Sequence, residues 1–372
     1  MCGTRARCVE TGAEIAPEMG GPLGTSAYTA VVRRATLKDV AARAGVHVAT
    51  ASRALNETSR HLVNSATLDR VLRAATELGY SGNLSARTLR TARSMAIGIL
   101  LPDLTNPIFP PIVRGAEDIL RERGYSTWIA NTDDDPKITA ASIEAFLSRG
   151  VDGFISAGSR LHDDTVEQMA GQGHPLVLVN RTVDRRDIPS VTADDDHGVR
   201  LALSHFVELG HRKIVHLAGP QDLSTGVHRK RAFVQGLADH GLDRGPERVA
   251  QCDAWSQREG HRALSGLLRD EKIDFTAIVA GNDLIALGCY DALREHGMTC
   301  PHDVSIIGFN DTPFMDHVSP PMTTIRIPQY DLGREAAKLL VDNLENPEQG
   351  PRSIVLPVEL VNRRSTAPLR TN

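Results

Sequence analysis

Apolar and polar positions change their spacing twice along the chain. Up to about residue 34 no period is sustained and Gly, Thr, Ala and Pro dominate, which predicts a disordered arm or an overextended start. Residues 36 to 80 carry apolar positions at helical spacing, and from Met95 onward short apolar runs alternate with amphipathic stretches.

Within residues 36–56, TLKDVAARAGVHVATASRALN, Val40, Ala41 and Ala44 form one apolar stripe ahead of Gly45, which supplies a left-handed turn. Thr36 and Asp39 stand at capping-box spacing and start the first helix. Val46 closes the corner, and a second helix is predicted from Val48 to Leu55. A third is predicted from its cap Asn64 to its stop Gly79, with Val71, Leu72, Ala75 and Leu78 inward. Two short helices about a Gly turn can place the second in a DNA major groove while the first braces it. Thr50, Ser52 and Arg53 lie toward the outer side of that second helix. Hydroxyls suit phosphate oxygens, and a guanidinium can grip guanine O6 and N7 together. Residues 83–93, NLSARTLRTAR, form a basic amphipathic piece that needs an external support to hold as a helix.

Beyond Met95 the runs AIGILLP, STWIA, GFISA and PLVLVN are separated by helical patterns over 112–123, 138–148 and 165–171. A second series follows: KIVHLAG, a helix to about His240, RVAQC, a helix over 257–269, AIVAG, a helix to His296, and VSIIGF. Two such series predict two doubly wound lobes, each a parallel sheet covered on both faces. The predicted organisation is an all-α helix-turn-helix head (35–81), a linker (82–94) and an α/β core (95–372). Lobe 1 is expected at about 95–193 and 325–350, and lobe 2 at about 194–324 and 351–368.

Charge is segregated along the chain. Residues 31–94 hold eleven Lys or Arg against four acids, a balance of +7, which leaves −11 for the remainder of a chain whose total is −4. A basic module on an acidic body suits a polyanionic partner at one end. Five widely spaced cysteines without a C-x-x-C pair argue against a disulfide framework or a zinc site. No run reaches the roughly 18 apolar residues of a membrane span, and no export signal is read at the start. A cytoplasmic, nucleoid-associated protein is expected.

Ligands of doubly wound lobes sit beyond the carboxyl ends of the strands. The loops predicted there carry Asn106, Phe109, Asn180, Arg181, Asp194 to Asp196, Thr225, Arg229, Trp255, Asn282, Asp283, Asn310 and Asp311. Amides, an Arg fork and an aromatic face suit a hydroxylated small molecule such as a sugar or nucleoside. Asp194 to Asp196 is also read as a solvated turn, and either Asn282 or Asp283 as a helix cap.

Several ordered motifs resemble the lactose-repressor (LacI/GalR) family of bacterial transcription regulators over nearly the whole chain. They include T-L-x-D-V-A-x-x-A-G-V, T-x-S-R-x-L-N, E-L-G-Y at 77–80, L-T-N-P at 104–107, L-G-H-R at 209–212, N-D-x-x-A-x-G at 282–288 and D-V-S-I-I-G-F-N-D at 303–311. The resemblance implies a periplasmic-binding-protein-like core and a homodimer on a palindromic DNA operator. Thr36, Leu37, His47, Val48, Ala49, Thr50, Ser52, Arg53 and Asn56 become the candidate DNA-contacting residues of the head. Hinge residues Asn83, Ala86, Leu89 and Arg90 are expected in the minor groove, with Leu89 wedged into a base step. Asn106, Phe109, Arg181, Asp194, Thr225, Arg229, Trp255, Asn282 and Asn310 are the candidate effector-binding residues. No catalytic group, cofactor or metal is expected. The alternative weighed is a solute-binding protein of a sugar-transport system.

The chain departs from the family pattern at four places. His47 stands where Ser usually caps the recognition helix, which predicts a weaker or rearranged cap at a cost of roughly 0.5–2 kcal/mol. Ala51 replaces the usual Val, and Val48 and Ala49 offer only apolar contact to thymine methyls, so hydrogen-bonded base readout falls largely on Arg53. Asn310 occupies a position that is Asp in some relatives.

Overall fold

The computed structural model describes residues 35–56, 59–80, 93–270, 273–348 and 350–370. The chain divides into two compact units, one ending at Asn83 and the other beginning at Leu84.

The head contains α1 (Leu37–Ala44), α2 (Val48–Leu55) and α3 (Ser65–Glu77). The Thr36 hydroxyl accepts the Asp39 N–H at 3.3 Å and the Asp39 carboxylate accepts the Thr36 N–H at 2.8 Å, completing the capping box. Gly45 follows α1 with φ of 66°, a conformation that Gly adopts without a Cβ penalty. Asn64 Oδ1 accepts the Thr67 N–H at 2.8 Å and starts α3. Six of the eight buried core residues are alanines, at 41, 44, 51, 54, 74 and 75, joined by Val40 and Val71. Small side chains let three short helices approach closely. Leu72, expected inside, is 36% exposed, because Val71, Ala74 and Ala75 already fill the inward arc of α3.

The core holds two six-stranded sheets. The first runs in the order β11 (Ser353–Leu356), β5 (Ser190–Ala193), β4 (Leu176–Val179), β3 (Gly153–Ser156), β1 (Ala96–Leu101), β2 (Ser126–Asn131). The second runs β12 (Glu359–Val361), β10 (Thr323–Arg326), β9 (Ser305–Asn310), β8 (Ala277–Ala280), β6 (Ile214–Ala218), β7 (Val249–Gln251). Helices α4 (Phe109–Glu122), α5 (Pro136–Leu147), α6 (Asp164–Gly171) and α11 (Gln329–Glu345) belong with the first sheet's segments. Helices α7 (Asp195–Glu208), α8 (Ser224–Asp239), α9 (Gln257–Arg269) and α10 (Asp283–Glu295) belong with those of the second. The central strands β1, β3, β4, β6, β8 and β9 are buried throughout, as strands covered on both faces must be.

Three features differ from the sequence expectation. β10 lies in the second sheet and β11 in the first, so the 325–350 and 351–368 pieces do not divide between the lobes as predicted. The three passages between lobes that the four predicted pieces contain fall after β5, after β10 and between β11 and β12, the last of them later in the chain than expected. β11 pairs parallel with β5 while β12, three residues on, pairs antiparallel with β10, so the second sheet is not purely parallel. Short edge strands with alternating exposure carry too weak an apolar signal to assign to one sheet. Helices α7 and α11 and strand β5 complete the two series.

No helix among the described residues is long and apolar enough to cross a membrane.

Candidate functional site

On the head, α2 presents its outer residues from a short, alanine-packed helix. Arg53 and Ala49 are exposed, and Val48, Thr50, Ser52 and Asn56 are half-buried. Leu37 packs against the head core, and Thr36 is committed to its capping box. His47 supplies the cap that sequence put in doubt: its Nδ1 accepts the Ala49 N–H at 3.2 Å. As an acceptor, that ring nitrogen stands in for a hydroxyl oxygen. Asn83, Ala86, Leu89 and Arg90 lie outside the described residues.

In the core, the carboxyl ends of β4, β6, β8 and β9 and the loop after β1 converge on a cavity of about 280 Å³. Asn106, Phe109 and Arg181 line it from segments of the first lobe, and Thr225, Arg229, Trp255, Asn282 and Asn310 from the second. Eight of the nine residues expected to bind the effector therefore meet in one place.

Arg229 is the hub. It is 3% exposed, donates from Nε to Asp195 Oδ1 at 2.8 Å, from Nη1 to the Gly281 carbonyl at 2.7 Å and from Nη2 to Asn310 Oδ1 at 3.4 Å. Its guanidinium carbon lies 3.7 Å from the centroid of the Phe309 ring, a cation–π contact that fixes the plane of the fork. Burial pushes the Asp195 carboxyl above its usual range, and the guanidinium beside it opposes that rise.

Asp194 does not reach the pocket. Its carboxylate accepts the His197 N–H at 2.8 Å as the N-cap of α7, while the next residue, Asp195, is the buried one. The run is a helix start rather than a solvated turn. The signal for Asp195 is periodic: Val199, Ala202, Leu203 and Phe206 are buried on α7, and the same stripe extends back four residues to Asp195.

Trp255 sits against backbone that only glycine permits. A Cβ on Gly219 would fall 2.1 Å from the indole, and one on Gly281 would fall 3.1 Å from it. Asn180, directly after β4, and Asn310, the last residue of β9, have φ of 67° and 115°, left-handed conformations at the pocket wall. Asn180, expected among the ligand-facing loop residues, also lines the pocket, as does Ile108, which the sequence reading does not single out. Asp311 is held by Arg326 and Arg363, each at 2.7 Å.

Asp283 lies behind Asn282, fully buried. Its carboxylate accepts from the Thr312 N–H at 2.7 Å, the Thr312 hydroxyl at 3.0 Å and the Thr324 hydroxyl at 2.6 Å. Burial raises its pKa to about 6, with a further push from the nearby Asp311 charge and against the lowering effect of those three donors. Asn282 Oδ1 caps α10 by accepting the Ile285 N–H at 2.8 Å, so capping and pocket lining fall on the same residue.

An outer chamber of about 810 Å³ continues from the pocket and shares Asn106, Phe109, Arg181 and Trp255 with it. Across it, Arg160 of the first lobe pairs with Asp222 of the second at 2.7 Å, and the Leu161 N–H donates to the Asp222 carbonyl at 2.9 Å. Nearby, the Thr182 N–H donates to the Ser224 hydroxyl at 2.9 Å. The lobes are thus joined by one exposed ion pair and by hydrogen bonds of which the Thr182–Ser224 one is partly buried.

Comparison with known proteins agrees with both halves. Residues 36–83 match the model for bacterial regulatory proteins of the lacI family, and residues 203–366 match that for a periplasmic binding protein-like domain. The ribose operon repressor of Bacillus subtilis is 34% identical over 332 residues, covering 89% of this chain and 98% of its own. The lac repressor dimer bound to operator and an anti-inducer superposes with a TM-score of 0.81 at 27% identity, covering 90% of this chain and all of that one. A LacI family regulator from Enterococcus faecium with bound ribose gives a TM-score of 0.65 at 33% identity over 74% of this chain and all of its own. The chain belongs to the LacI family of bacterial regulatory proteins.

Proposed function

We propose that the chain is a ligand-responsive repressor of transcription that reads a palindromic operator as a homodimer in the cytoplasm, with no catalytic step of its own. The observation that carries the reading is the union, in one chain, of an outward-facing helix with Arg53 at its surface and a two-lobed core whose lobes meet around Arg229. Ala86 and Leu89 take the minor-groove role on the strength of the sequence resemblance. In the core a small polar effector of the sugar or nucleoside class binds between the lobes. The ribose-bound relative supports the sugar class. Because both lobes line the cavity, a ligand that prefers one lobe angle shifts the population toward it, and operator affinity follows.

The test is operator selection and footprinting with the full chain, followed by Arg53→Ala. Protection of an inverted repeat is expected, and the substitution should relax discrimination at one base pair per half-site by about 1–3 kcal/mol. Uniform weakening on every sequence would reassign Arg53 to phosphate, and absence of any preferred duplex at moderate salt would refute the regulator reading.

A further inference from the structure

We propose that the effector carries an oxyanion, a carboxylate or a phosphate, held by the inner pocket while its hydroxyls face the outer chamber. This rests on the reading of the core as an effector site and names the chemistry of that effector.

Three amides of the inner pocket have their orientation decided by the donors behind them. Asn282 Oδ1 accepts from the Ile285 N–H at 2.8 Å, Asn106 Oδ1 from the Ile108 N–H at 3.3 Å, and Asn310 Oδ1 from Arg229 Nη2 at 3.4 Å. Each therefore leaves its NH2 group for a ligand. Arg181 and Arg229 add N–H groups and have no acceptor at all. Among the described residues no carboxylate lines this cavity, and of its lining only Asn180 and Thr225 bring side-chain oxygens without a committed orientation.

Donors thus outnumber acceptors. A neutral sugar brings one proton per hydroxyl, and each one left without an acceptor in a closed site weakens binding. An oxyanion only accepts, so it matches the cavity group for group. Asp195 and Asp134 already pair with Arg229 and Arg181, each at 2.8 Å, so selection follows hydrogen-bond direction rather than surplus positive charge.

The outer chamber reverses the polarity. Asp103, Asp134, Asp222 and Asp253 line it against Arg160 and Arg181, and carboxylates accept from hydroxyls. Because Asn106, Phe109, Arg181 and Trp255 border both spaces, one polyol with an anionic end can occupy both.

The experiment is calorimetric titration of the full-length protein with matched neutral, carboxylate and phosphate forms: ribose, ribonate and ribose 5-phosphate, then glucose, gluconate and glucose 6-phosphate. One anionic form is expected to bind roughly 10- to 100-fold tighter than its neutral parent. Which anion wins distinguishes carboxylate from phosphate. Asn310→Asp, and separately Asn282→Asp, which keeps an oxygen for the α10 cap, should lower anion affinity and raise that of the neutral parent. A neutral sugar that outbinds both of its anions, an anion preference that survives both substitutions, or no binding by any anionic form overturns the proposal. If neutral sugars win yet still shift operator affinity, the regulator reading stands and this one falls. If no operator is selected, the regulator reading falls while the anion preference is still measured.

Discussion

The head and the core build their working surfaces in opposite ways. In the head, the side-chain hydrogen bonds described at the ends of α1 and α2 are local, Thr36 to Asp39, His47 to Ala49, and Ser59 to the Arg53 carbonyl, with an exposed ion pair of Arg43 and Glu77 joining α1 to α3. In the core, Arg229 alone is held by partners 34, 52 and 81 residues away. A site made of near neighbours is a unit that works wherever its helix is presented. One made of distant segments changes when those segments move, which is what a sensor requires.

The largest test of this contrast is Arg229→Ala, which leaves Asp195 buried without its counter-ion and should destabilise the core by about 3–5 kcal/mol. Hydrogen exchange should rise in α7 and α8 and stay unchanged in α1 to α3. Equal loosening of the head would break the comparison.

Asp283 sharpens it through pH. Its folded pKa of about 6 lies above the ordinary 3.8, so the folded core holds this proton more tightly than the unfolded chain does. The associated stability is full below pH 3.8 and is lost as pH rises through 6, amounting to about 2–3 kcal/mol across that window. Asp283→Asn should remove that share of the slope from the core's urea unfolding. An unchanged slope would mean that Asp283 does not titrate there.

Gly219→Ala comes next. The added methyl must displace the Trp255 indole, at a cost of about 1–3 kcal/mol. A shifted tryptophan emission and weakened effector binding are expected, with operator binding in the absence of effector unaltered.

The smallest effect belongs to the head. His47→Ser exchanges an imidazole cap for a hydroxyl and should raise the stability of α2 by about 0.5–1 kcal/mol, read as slower amide exchange at residues 49–51. No gain would show that the histidine caps as well as serine does.

The same difference in sequence span explains what could be read without coordinates. The capping box, the Gly45 turn and the Asn64 cap were legible because each is written within a few residues. Eight of the nine residues expected at the effector site line one cavity because strand ends in an α/β core point to one face and short polar loops mark those ends. The sequence does not separate Asp194 from Asp195, because without the helical phase of α7 adjacent aspartates look alike. The sheet membership of β10 and β11 escaped because strands of four residues carry no mark of the sheet they join.

The sequence by itself determined the kinds of element, their order and the helix starts of the head, since period and capping act over one or two turns. Only the tertiary structure decided that Asp195 balances Arg229, that Trp255 lies on Gly219, and that the Asn310 amide oxygen accepts from Arg229. Those outcomes depend on pairings between distant segments, whose closeness comes from burying two sheets rather than from any local preference.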